Sequence, residues 1–126
     1  MKTLIWVASE LLLIFILLTL PGSNFSHAPN WMNAVHVDKL VHMALFGSLA
    51  FSFFIHFELS KSRFLKSIRA KALTLIFCIL YGIGMEYYQK YFVPSRAFEV
   101  ADMLADAVGA ILALPFFMMV RKKYFK

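Results

Sequence analysis

Cysteine is almost missing from this chain. Cys78 stands alone, so no intrachain disulfide can form. Its apolar neighbours read it as a buried structural thiol. Internal repeats and low-complexity tracts are absent, and 126 residues suit one small domain, 1–126. Strand alternation is missing too. A closed membrane barrel needs many alternating segments of about ten residues, and none is found. Acidic side chains are scarce, seven against thirteen Lys and Arg. The resulting charge of +6 could suit nucleic acid. The basic residues, however, lie between apolar segments and at the C-terminus, which reads as membrane topology and excludes a nucleic-acid partner.

What is abundant is apolar surface. Hydrophobic residues make up 61% of the chain and the mean hydropathy is +0.72. Soluble proteins have roughly 45–50%, so the solvent for this chain is the lipid bilayer. Four segments, 4–20, 40–57, 72–88 and 103–120, pass the length test for a span. At 1.5 Å per residue each covers roughly 25–27 Å, and a polar residue or two at each end completes the crossing. The expected fold is all-α, an integral membrane bundle of four transmembrane helices. Residues 1–28, with Ser26-His27-Ala28 as a small-x-small site, resemble a cleavable leader. Glu10 interrupts its apolar stretch and the site lies far beyond its end, so the segment is expected to stay as the first span. Pro21-Gly22, Pro29 and Trp31 mark the first connector as a turn-rich loop with an interfacial aromatic.

Counting sets the topology. Lys2, the connector residues Lys61, Arg63, Lys66, Arg69 and Lys71, and four tail residues put ten of thirteen basic groups on one side. The positive-inside rule makes that side cytoplasmic, with both termini on it. Five of the seven acids then fall on the outer side, together with His42, Lys39, Gln89 and Arg96.

These outer residues have helical spacing. Asp38 and His42 share a face, so Asp38 can cap its helix and orient the imidazole. Glu86 and Gln89 share a face, continued by Gly82 and Cys78 into a small stripe that another helix can approach. Tyr87, Tyr88 and Tyr91 read as an interfacial belt. Glu99, Asp102 and Asp106 share a face beside the ladder Ala101, Ala105, Gly109, Ala113, so the carboxylates should turn inward, with Arg96 or Lys39 near Asp102. Pro115 lies farther along the same helix and can kink it. Carboxylates this close need partners in a low dielectric.

Three readings of the cluster stay open. It is an ion-pair network that clamps helix ends, a site for a phosphate- or sugar-bearing headgroup, or a metal site from His42, Glu86 and Asp102 or Asp106. No spacing motif singles out a metal, so no metal and no cofactor is expected.

Asp38-Lys39-Leu40-Val41-His42, the later Glu86-Tyr87-Tyr88-Gln89, then Arg96 and the acidic start of the last span resemble the VanZ-like family. The resemblance covers nearly the whole chain. It implies a small multipass protein of the bacterial cytoplasmic membrane, in a family whose name-giving member is linked to low-level teicoplanin resistance. Two positions depart from the family pattern. Asp106 stands where many members have Asn, which adds a charge and weakens any role needing a neutral amide. Phe46 stands where Tyr is common.

The resemblance leaves two functions to separate, of which the first is the expected one and the second the alternative. One is a non-enzymatic envelope protein that meets an amphiphilic ligand, such as a lipid-tailed glycopeptide, at the outer leaflet. The other is an enzyme on a lipid-linked or phosphorylated envelope substrate, with His42 or Glu86 as general base and Arg96 on the anion. Transport is disfavoured, because the inner half holds only Glu10 as an intramembrane ionisable group.

Overall fold

In the computed structural model the described residues are 2–21 and 37–125. They form four helices, α1 (Lys2–Thr19), α2 (Val37–Glu58), α3 (Ile68–Phe92) and α4 (Val100–Tyr124). Each is long and apolar enough to cross a membrane. Ser26-His27-Ala28, Gly22, Pro29 and Trp31 lie outside the described residues.

The helices run past the apolar segments that announce them. α2 begins at Val37, so Asp38 and Lys39 occupy its first turn rather than a preceding loop. Asp38 suits that place, since a carboxylate there meets the positive end of the helix dipole. α3 starts at the Ser67 cap, whose hydroxyl accepts from the Ala70 N–H at 3.3 Å. α4 carries Arg121, Lys122 and Lys123 in its last turn, where cations meet the negative dipole end.

Cross-helix contacts fix the directions. Lys39 at the start of α2 meets Asp102 at the start of α4, and Glu58 at the end of α2 accepts from Arg121 Nε at 2.9 Å. α2 and α4 are therefore parallel. Gln89 near the end of α3 reaches Leu18 near the end of α1, so these two are parallel as well. Thr3 against His56 makes α1 antiparallel to α2. The result is an up-down bundle with one acidic end and one basic end.

α2 is the hub and packs on the other three helices. Its contact with α4 is close because both sides are small. A Cβ on Gly47 would stand 3.1 Å from the Gly109 carbonyl oxygen, and one on Gly109 would strike the Met43 backbone. Lipid tails offer helices no hydrophobic drive to associate, so such close packing is what holds them. The core holds Val7, Ile14, Phe46, Leu49, Phe54 and Phe117, and Cys78 is buried among them as its apolar setting implies. Leu, Ile, Phe and Val side chains cover the outer faces, as a lipid-solvated bundle requires. Glu10, midway along α1, turns to Ser48 and Ser52 of α2. Pro115 sits inside α4.

Candidate functional site

At the acidic end, α2, α3 and α4 bring polar side chains together within two turns of their ends. Glu86 is 0% exposed, Asp106 1%, His42 3% and Asp102 7%. Charges and dipoles this deep need partners, because an unpaired polar group away from water costs free energy on the scale of a lost hydrogen bond or more.

Each residue of the group has one atom fixed by a neighbour. Lys39 Nζ donates to Asp38 at 2.9 Å, to Glu99, and to Asp102 Oδ1 at 2.7 Å. It is the cation that gathers the acids, the role expected of it or of Arg96. His42 Nδ1 lies 2.8 Å from Asp106 Oδ1. With the Nδ1 proton donated to that carboxylate, the tautomer is set and Nε2 is turned toward Asp102 Oδ2, 3.8 Å away. Glu86 Oε2 accepts the Glu99 backbone N–H at 3.1 Å, which joins the end of α3 to the start of α4. Two carboxylate oxygens remain without a hydrogen-bond partner although buried, Glu86 Oε1 and Asp106 Oδ2.

Helix packing explains the placement. Gly82 on α3 makes room for Asp106, since a Cβ there would stand 2.7 Å from Asp106 Oδ2. Ala105, Gly109 and Ala113 are buried, which rotates the acidic stripe of α4 inward, while Ala101 at the rim is exposed. Ser95 takes a left-handed backbone with φ 63° after Pro94, a conformation that costs a non-glycine residue about 1 kcal/mol or more. The loop is held there by Arg96, whose Nε donates to the Leu20 carbonyl at 3.1 Å.

Several expected placements differ in detail. The imidazole is oriented by Asp106 from α4, not by Asp38 on its own helix. Asp38 instead pairs with Lys39 on the exposed side. Gln89 is buried as its face predicts, but its amide donates to the Leu18 carbonyl at 2.8 Å and so serves the α1–α3 contact. Tyr87 and Tyr91 are exposed at the helix end, and Tyr88 packs against Phe15.

The sequence reading missed what Gly82 does for Asp106 and the pairing of Glu58 with Arg121 at the basic end. The first had a signal, because Gly82 lies one turn before Glu86. The second had none short of knowing that α2 and α4 are parallel.

Chemically, the arrangement joins an imidazole of fixed tautomer to three buried carboxylates. One atom from each of His42, Glu86 and Asp102 lies within 4.8 Å of the others, a spacing that can hold a metal ion. Asp38, Glu99 and Asp102 form a second such group, but the Lys39 ammonium already binds all three.

No solved structure matches the chain. An uncharacterized protein of the fission yeast Schizosaccharomyces pombe is 31% identical over 109 residues, which cover 86% of this chain and 62% of that protein. The chain thus corresponds to less than two thirds of that relative. The profile of the VanZ/LLP1 family matches residues 4–121, from the first helix through the acidic cluster to the basic end of α4. The four-helix membrane chain with its Asp38-Lys39-to-His42 and Glu86-to-Asp106 elements belongs to the VanZ/LLP1 family.

Proposed function

We propose that this chain is a membrane enzyme that works at the headgroup level on a lipid-borne, phosphate-bearing substrate, through the cluster of His42, Glu86, Asp102 and Asp106. The observation that carries this reading is the buried His42–Asp106 pair at 2.8 Å, with Nε2 turned to Asp102. A carboxylate that fixes one imidazole nitrogen readies the other, either to take a proton or to bind a cation. Retention of an amphiphile by fit alone does not call for such a pair, and this favours the enzymatic reading over simple binding. Arg96 lies at the same end as a cationic group for an anion.

The proposal includes a topology. The acidic end faces the outer side and the basic end the cytoplasm, supported by the ten basic groups at the latter. In a bacterial cytoplasmic membrane the headgroup would be that of an envelope lipid or precursor. Altered sensitivity to a lipid-tailed glycopeptide such as teicoplanin follows as a phenotype.

The test is lipid turnover by purified protein in nanodiscs of mixed phospholipid, read by mass spectrometry of the extracted lipids. Wild type should convert at least one phosphate-bearing lipid, and His42→Ala should not. Unchanged lipids with wild type, across bacterial and fungal lipid extracts, would contradict the proposal.

A further inference from the structure

The acidic end carries more negative charge than its own cations balance. Asp38, Glu86, Glu99, Asp102 and Asp106 stand there with Lys39, Lys90 and Arg96, five acids to three cations. Lys39 serves the outer three acids directly. The deeper layer is different. His42 has Nδ1 fixed by Asp106, Asp102 has Oδ1 fixed by Lys39, and Glu86 has Oε2 fixed by the Glu99 N–H. Each keeps a second atom with lone pairs. These are His42 Nε2, Asp102 Oδ2 and Glu86 Oε1, the last buried and without a hydrogen-bond partner.

We propose that His42, Glu86 and Asp102 bind a divalent transition-metal ion, Zn²⁺ or Mn²⁺, with Asp106 as the residue that positions the imidazole. One nitrogen with two carboxylate oxygens is a donor set for these ions, since imidazole suits zinc and carboxylates suit manganese. Metal–ligand bonds of about 2.0–2.2 Å at tetrahedral angles put two ligand atoms about 3.3–3.6 Å apart. His42 Nε2 and Asp102 Oδ2, at 3.8 Å, stand close to that separation. One atom from each of the three residues lies within 4.8 Å of the others, so side-chain rotations of about an ångström close the set on an ion. The contacts that hold the other atoms are those a metal ligand wants, a carboxylate on the far imidazole nitrogen above all. The neighbouring set of Asp38, Glu99 and Asp102 contains an ammonium and two exposed acids, so it does not compete.

The proposal rests on the headgroup reading only for what the ion acts upon. There it supplies the positive charge that a phosphate needs in an acidic pocket. Binding itself is independent of any substrate.

The experiment uses the full chain purified in detergent micelles and stripped with chelator. It is then titrated with ZnCl₂ followed by thermal unfolding, and with MnCl₂ followed by the loss of free-Mn²⁺ paramagnetic resonance. Wild type should take one ion per chain and melt higher as Zn²⁺ rises. His42→Ala and Glu86→Gln should each weaken binding by about tenfold or more, Asp106→Asn by about 10–100-fold, and Asp38→Asn should bind as wild type. Glu86→Gln keeps an acceptor for the Glu99 N–H and so preserves that helix join.

Absence of stoichiometric binding by wild type overturns the proposal, as does equal binding by His42→Ala. Should a variant not fold, the wild-type melting titration decides alone, and a melting point independent of Zn²⁺ and Mn²⁺ rejects the site. Lipid turnover that survives complete metal removal refutes the ion while the enzyme reading stands. Stoichiometric binding without turnover of any lipid does the reverse.

Discussion

At the scale of single residues, burial and the count of fixed atoms decide what each acid does. Lys39 holds three carboxylates and is half-buried, so its removal strands Asp102. Exposed ion pairs contribute about 0–1 kcal/mol, while breaking a fully buried pair costs about 3–5 kcal/mol. A hub between these limits should cost about 1–3 kcal/mol, discounted for its contact with water. Lys39→Ala is therefore expected to lower the melting point in detergent, whereas Lys90→Ala, an exposed residue of the same end, should leave it unchanged. Equal melting points would show that the ammonium contributes nothing to the fold. Sequence alone could name Asp38, His42, Asp102 and Asp106, because helical spacing places them on faces. It could not choose the partner of His42. Asp38 is four residues away in the chain, but Asp106 comes from another helix and reaches Nδ1 only because Gly82 leaves it room.

At the scale of helices, the pairing of α2 with α4 positions the site. Gly109 crosses Met43 so closely that any added Cβ meets backbone, which no rotamer change can relieve. Overpacking of a close contact costs about 1–3 kcal/mol. Gly109→Ala should therefore destabilise the bundle by at least that amount and pull His42 away from Asp106. Gly84→Ala has nothing within 4 Å and should fall within about 0.5 kcal/mol of wild type. Unfolding in SDS–detergent mixtures measures both, and similar curves for the two variants would refute the close crossing. This interface was partly legible. Ala105, Gly109 and Ala113 announced a small face on α4, but its mate on α2, Gly47 within Phe46-Gly47-Ser48, has no comparable ladder. Ladder and mate are found together only once the direction and rotation of both helices are known. The helix ends were less legible than the helix middles. Asp38, Lys39 and Asp102 look like connector residues by hydropathy, yet they form first turns because dipole and ion pairs satisfy them.

At the scale of the whole molecule, asymmetry of charge gives the bundle an acidic and a basic end, and the proposed topology rests on it. With Cys78 replaced by Ala, a cysteine introduced at Ser62 should react with a membrane-impermeant thiol reagent only after the membrane is opened, and one at Asn24 in intact cells. The reverse pattern would invert the topology and move the cluster to the cytoplasmic face. The central claim is that the buried cluster works on a substrate and does not merely hold helix ends together. Its most direct test is lipid turnover per folded molecule, measured for wild type, His42→Ala and Glu86→Gln on preparations matched by their unfolding transitions. Removal of one catalytic acid–base group lowers rates by about 10²–10⁴-fold. The account predicts a loss of that size per folded molecule with most of the protein still folded. Turnover per folded molecule equal to wild type, with only the amount of folded protein reduced, would contradict it and leave the cluster as a clamp.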